Sequence, residues 1–392
     1  MNPDKRRTLV SLALVAPLAL FLVVFFVAPL WTMMAAAVSD PIAARALPQT
    51  AAVISGWDGA AAPSPQIQAA FADDIRNIDD DQLFGDLVRR LNSAKSGFRT
   101  LMSKTRNALR DDPALSDFAA IDRRWEDPSF WQAIKIAAGS TVTDRNLLAA
   151  VDLERSPSRE IQAMPEGSSA NRMTLVRTFV VSLLVTLVCL VIGLPYAMIA
   201  ASVQGWARQL LLAAVLLPLW TSLLVRTAAW FILLQDNGLI NSTLMALGIT
   251  SSPVALIFNR VGVVIAMSHV LLPFMVLPIF SVLIGIPRNL MPAAASLGAN
   301  PLRAFREVLL PLSMRGVVSG SLLVFMSALG YYITPALIGG AQDQMISSVI
   351  AYYATGAANW GMAGALGLVL LVATIILYTV YLRLASEEQA RR

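Results

Sequence analysis

Few side chains in this sequence are placed to do chemistry. Cys189 and His269 each occur once and each lies in an apolar run, so no disulfide within the chain and no Cys/His metal set is expected. A lone histidine in such a run is far more often a packed, hydrogen-bonded side chain than a ligand, and His269 is given no chemistry. Carboxylates crowd into Asp73-Asp74 and Asp79-Asp80-Asp81, a pattern of solvated helix ends and loops rather than of a catalytic pair. No Gly-x-x-x-x-Gly-Lys-Ser/Thr loop cradles a phosphate, and no nucleophile, acid and metal set of a membrane enzyme converges. No catalytic residue, metal site or nucleic-acid partner is predicted. What remains is Arg226, inside an apolar stretch where an ionisable side chain marks a functional site by default. Trp230, Asn237, Tyr331 and Tyr332 join it as candidates for lining a translocation path. An arginine there suits a carboxylate- or phosphonate-bearing solute. The alternative is a structural pair with Asp236 or with helix-end carbonyls, and for the tyrosines an interfacial anchor.

The elements that would hold these residues are membrane spans. Of 392 residues 56% are hydrophobic and 14% charged, a combination that points to the membrane class. Spans are predicted at residues 9–38, 174–202, 210–234, 261–285, 317–338 and 362–382. The first follows Lys5-Arg6-Arg7 and ends near Ala35-Ala36-Ala37, which resembles a cleavage site. The run is longer than the roughly 7–15 residues of a signal core and long enough for a bilayer, so it is read as an uncleaved helix. Pro195, Pro218, Pro273, Pro278 and Pro335 fall inside spans, which buried membrane helices tolerate as kinks. Lys5, Arg6, Arg7, Arg208, Arg288, Arg303, Arg306, Arg315, Arg383, Arg391 and Arg392 fall on one side if both termini are cytoplasmic. Arg172, Arg177 and Arg260 lie on the other.

Residues 40–171 hold most of the charge and lean acidic, whereas the rest of the chain is strongly basic. Apolar residues recur there at helical steps: Phe71, Ile75 and Ile78, then Leu83, Leu87 and Leu91, then Phe98, Met102 and Leu109. The segment reads as a helical insertion in the periplasm, opened by a flexible linker through Ala60–Pro65 and closed by another at Ser156-Pro157 and Gly167-Ser168-Ser169. Its role is open between a docking collar, a lid and an assembly scaffold.

Between the fourth and fifth spans, residues 286–312 are too polar to span and too patterned for a random linker. Pro292 can sit in a first helical turn, Gly298 can end that helix in a left-handed cap, and Pro301 can begin a second short helix. Small side chains at Ala293, Ala294 and Gly298 would let another protein's groove approach closely, and Pro311 would start the return into the membrane.

These residues resemble the cytoplasmic signature of binding-protein-dependent ABC importer permeases: Glu-Ala-Ala, three residues, Gly, nine residues, then Ile-x-Leu-Pro. Ala293-Ala294, Gly298, Val308 and Leu310-Pro311 fall on it, and Pro292 stands where the family has Glu. Ser296, Pro301 and Arg303 lie within the same loop. Residues 216–227, 235–241 and 333–340 resemble the polyamine (spermidine/putrescine) branch of that family. The resemblance implies an all-α integral membrane fold of six transmembrane helices, organised as helix 1–39, insertion 40–171, five-helix core 172–385 and tail 386–392. It also implies two copies of an ABC ATPase that bind the ATP and magnesium, a second homologous permease (a heterodimer rather than a homodimer), and a periplasmic solute-binding protein. The chain itself would bind no cofactor and work by alternating access in a bacterial inner membrane. Polyamine is the solute by family default, although the five later spans carry no Asp or Glu to bind a polycation, and amino-acid-like, opine-like or phosphonate solutes stay open because recognition before transport is delegated to the binding protein. An ATPase-independent secondary transporter is the alternative of another class, but the internal repeat it usually shows is not found.

Overall fold

The computed structural model describes residues 3–112, 117–139, 141–155, 160–165, 167 and 170–390. Ser156, Pro157, Ser168, Ser169, Arg391 and Arg392 lie outside the described residues. Two compact units divide the chain: Met1–Leu148 with Trp360–Ala365, and Ala149–Asn359 with Leu366–Arg392. The described residues among 149–171 therefore belong to the second unit, although their polarity assigns them to the insertion. The cause is Asp152, whose carboxylate accepts from the Asn171 and Arg172 amides at 2.9 Å each and so caps the helix Asn171–Ser202.

In the first unit the opening span is one helical run, Pro3–Leu22, Val23–Val27 and Ala28–Val38. Its middle piece is a π turn ending two residues before Pro29. A proline ring collides with the carbonyl one α turn back, and a widened turn relieves that collision without ending the helix. The helix stops at Ser39, which bridges to Val142 while the Asp40 amide donates to the Thr141 carbonyl at 2.9 Å.

The insertion is all helix in this unit: Ile42–Ala46, Pro48–Ile54, Pro65–Arg76, Asp81–Ala94, Phe98–Asp111, Phe118–Ile121, the 3-10 turn Arg123–Glu126, and Pro128–Ala138. Its centre is aromatic. Phe71 meets Trp125 and Trp131 edge-on, both at 5.3 Å between ring centres, and Trp131 is fully buried. The two indoles are satisfied, Trp125 donating to Thr105 Oγ1 and Trp131 to the Trp125 carbonyl, both at 2.9 Å.

Two expectations are corrected here. The core begins at Ala43, Ala46, Leu47 and Ile54, upstream of residues 60–65, and the chain just before those residues is fastened: Gln132 donates to the Gly59 carbonyl and Lys135 to that of Trp57. Nor is Asp74 solvated. It is buried, accepting from the Thr50 amide at 2.7 Å and Thr50 Oγ1 at 2.6 Å, which anchors the start of Pro48–Ile54. Its neighbours do behave as surface groups, with Asp80 capping Asp81–Ala94 and Asp81 bound to Arg106.

Carboxylates hold this unit's surface turns. Arg124 keeps Asp122 well below the usual carboxylate range, and Lys95, then Ser129, bring Asp127 down to about 2. A depressed carboxylate contributes stability above its unfolded pKa of about 4 and loses it as pH falls through the folded value. The tryptophan emission of the purified protein is therefore expected to report loosening of the Trp57, Trp125 and Trp131 region between about pH 4 and 2, and to be flat from pH 5 to 8.

Residues Trp360–Ala365 belong to the same unit and meet the first span through small residues. A side chain at Gly364 would overlap the Met33 carbonyl oxygen, and one at Gly361 would press on the Ala36 carbonyl. The triplet Ala35-Ala36-Ala37 thus serves as a packing face.

The second unit opens with two short antiparallel strands, Leu153–Arg155 and Ile161–Ala163, and is otherwise helical. Asn171–Ser202, Arg260–Leu283 and Leu310–Leu329 pack on one another around Val185, Cys189, Met275, Val276, Val324 and Ala328, all buried. Among the described residues, five helices are long and apolar enough to cross a membrane, six if one bent pair counts as a span.

That pair corrects the predicted span 210–234. Trp206–Trp220 and Leu223–Leu233 meet at 100°. Pro218 cannot donate to the turn before it, the run tightens to a 3-10 turn, and Ser222, extended, starts a new helix by accepting from the Val225 amide at 3.2 Å. The predicted span 317–338 is also shifted. Helix runs from Pro301 to Leu329, stops at Gly330, and restarts as Ile333–Ile338 with Pro335 in its first turn. Pro311 lies inside this helix, ten residues from its start. A second π turn, Phe305–Leu309, ends two residues before it, repeating the arrangement at Pro29.

Candidate functional site

Residues 286–312 fold into two short helices joined by a tight turn. Leu290–Ser296 closes with a Schellman cap: Ala299 donates to the Ala294 carbonyl and Gly298 to that of Ala295, both at 3.0 Å, with Gly298 at φ +87°. Asn300 then accepts from the Arg303 amide at 2.8 Å and caps Pro301–Ala304, with Pro301 in the first position. The joint is stiff because both helix ends are satisfied within seven residues.

Pro292, Ala293, Ser296, Gly298, Pro301 and Arg303 are exposed, Ala294, Val308 and Pro311 half-buried. Arg303 is held on its own helix by Glu307, with Nε donating at 3.0 Å. A residue absent from the sequence reading dominates the tip. Leu297 is 89% exposed, with Leu302 beside it at 59%. The signal was available, since a large apolar side chain next to a helix-ending glycine in a polar loop has no core to enter. Together they form a small knob with an apolar crown.

Of the predicted path residues three fall in one region. Trp230 Nε1 donates to His269 Nδ1 at 3.1 Å, their rings edge to face at 5.4 Å; Arg226 lies one turn before Trp230 on Leu223–Leu233, and Tyr331 packs against the same buried cluster as Trp230. Thr227 and Thr334 share a hydrogen bond of 3.2 Å that fixes Leu223–Leu233 against Ile333–Ile338. The broken third span is what aims Arg226 here. Its Nε and Nη1 are buried with no hydrogen-bond partner, and among the described residues it makes no ion pair, so the suggested pairing with Asp236 is corrected. Asn237 sits on an exposed turn apart from the cluster, and Tyr332 is 46% exposed, its carbonyl accepting from Ser348. His269 was not foreseen as part of this group, because nothing in the sequence links it to a tryptophan 39 residues away.

Known proteins resemble the region that carries both features. Residues 193–387 match the family described as binding-protein-dependent transport system inner membrane component. The chain is 36% identical over 198 residues to the spermidine/putrescine transport system permease protein PotB of Haemophilus influenzae, covering 50% of this chain and 69% of that protein. The chain belongs to this family. The Escherichia coli K12 PotB is 34% identical over 202 residues, 52% of this chain and 74% of that protein. A probable sulfate transport system permease, cysT of Nephroselmis olivacea, is 31% identical over 220 residues, covering 55% and 74%. Membership makes the chain a multi-pass inner-membrane permease of an ABC importer, a transport component rather than a catalytic one. The family match begins at residue 193, so residues 40–171, the insertion, lie outside it.

Proposed function

We propose that this chain is the permease half of an ABC importer that moves a polyamine-class solute into the cytoplasm, driven through the knob at residues 286–312 by a separate ATPase. The observation that carries the reading is that knob: capped at both joints, exposed, and crowned by Leu297. ATP and magnesium belong to the partner ATPase, of which two copies are expected, with a second homologous permease and a solute-binding protein. Both termini then lie in the cytoplasm and residues 40–171 in the periplasm, as the Lys/Arg bias requires. Alternating access follows when the ATPase dimer closes and drives the knobs of the paired permeases together.

The polyamine assignment rests on the PotB relatives. A carboxylate- or phosphonate-bearing solute is the second reading, favoured by Arg226, whose guanidinium has buried nitrogens unpartnered one helical turn from Trp230. The test is to express the chain with its neighbouring genes, purify the complex and measure ATP hydrolysis in nanodiscs. Copurification of an ATPase, stimulated by the binding protein with spermidine or putrescine, is the expected result. Stimulation by acidic solutes alone transfers the assignment to the second reading, and transport by the isolated chain without ATP rejects the importer.

A further inference from the structure

At the end of the first span, cationic and anionic charges do not balance. Asp40 lies two residues past the helix end at Val38, and its carboxylate is held by Arg90 Nε from Asp81–Ala94, with the two side chains 9% and 7% exposed. Arg90 Nη1 is buried with no hydrogen-bond partner. Ser93, one turn further along that helix, donates to the Arg90 carbonyl at 2.7 Å and accepts from Arg145 Nη1 and Nη2 at 3.4 and 3.3 Å. Asp40 is thus engaged by Arg90, while Arg145 reaches only the Ser93 hydroxyl and forms no ion pair of its own among the described residues. Burial first, then the charge of Arg90, pushes the Arg145 guanidinium down to about 10, with Asp40 opposing. A half-buried excess charge is costly unless an anion completes the site.

Position identifies the anion. The span Ala13–Val38 is long and apolar enough to cross a bilayer, so a cluster two residues beyond its end stands where hydrocarbon gives way to headgroups. Phe26 and Trp31, 64% and 70% exposed on this helix, offer acyl chains an apolar flank. A guanidinium matches phosphate oxygens with paired N–H donors. We propose that Arg145, supported by Arg90, binds a phosphate ester at the end of the first span, that of a phospholipid headgroup. Free phosphate shares the chemistry, so the test separates the two. The site does not depend on the transport assignment or on which leaflet it faces.

The purified full-length chain is delipidated in a neutral detergent, and its thermal midpoint is followed on adding phosphatidylglycerol, a galactosyl diacylglycerol without phosphate, or inorganic phosphate. Phosphatidylglycerol is expected to raise the midpoint by about 5 °C. The galactolipid should not, Arg145→Gln should lose at least half of the rise, and Arg145→Lys should recover part of it. Native mass spectrometry should show one phospholipid fewer per chain in Arg145→Gln. The same rise with millimolar inorganic phosphate, again lost in Arg145→Gln, keeps the anion site and names free phosphate as its occupant. Equal stabilisation by the galactolipid, or an undiminished response in Arg145→Gln, overturns the proposal. Arg145→Lys guards against misfolding of the Gln variant, because it retains the charge and the Ser93 contact.

Discussion

Gly364→Leu is expected to abolish recovery of monodisperse protein from detergent extracts, and Gly364→Ala to lower the thermal midpoint substantially. Any Cβ at residue 364 overlaps the Met33 carbonyl oxygen and approaches the Ala37 amide. These are backbone atoms of the opposing helix, so no rotamer change relieves the clash. Overpacking a core by one methyl costs about 1–3 kcal/mol, and a leucine here must push two spans apart. Gly367→Leu, three residues on, serves as control because nothing stands within 4 Å of its Cβ position. Size-exclusion profiles of the three variants decide the matter. Equal profiles for residues 364 and 367 would mean that the two helices are not in contact in the membrane.

The second large effect is expected at Leu297. Its side chain is 89% exposed at the crown of the knob, so Leu297→Asp should leave folding and yield unchanged. If the crown fills a groove on the ATPase, burying a carboxylate there removes an apolar anchor and desolvates a charge, a change of about 2–4 kcal/mol at an interface hot spot. Solute uptake should fall at least tenfold, and ATP hydrolysis should lose its response to the binding protein. Gly298→Ala makes a useful companion. Space around it is open, but φ of +87° strains any side chain, so it should disturb the cap and weaken coupling less. Wild-type uptake in Leu297→Asp would exclude the crown from coupling.

Much of this could be read from residue order, and the reasons are local. Hydropathy finds the spans because each is a long apolar run, and the knob is written in Pro301, Gly298 and Asn300, whose backbone preferences act within one turn. The 100° break at Thr221-Ser222 escaped notice because the residues on both sides remain apolar, so hydropathy joins two helices into one span. The start of the insertion core was hidden by alanines and prolines that suggest a linker, yet Ala43 and Ala46 are buried by partners distant in sequence. The contact of Trp230 with His269, and the nearby placing of Tyr331, depends on two helices distant in sequence, on the non-helical link at residues 331–332 and on that break. Asp74 was misread for the same reason, since its role is to receive amides 24 residues away.

The helix that leaves the knob never pauses on its way into the membrane. Pro301–Leu329 holds 29 residues, about 40 Å at the usual rise, and the π turn before Pro311 lets it pass a proline without a joint. A tilt of about 5° imposed at one end of such a rod displaces the other by about 4 Å. A hinge at Pro311 would have absorbed that stroke as backlash. Because the rod ends at Gly330, next to Tyr331, a stroke applied by an ATPase at the proposed docking knob would arrive near the residues proposed to line the path.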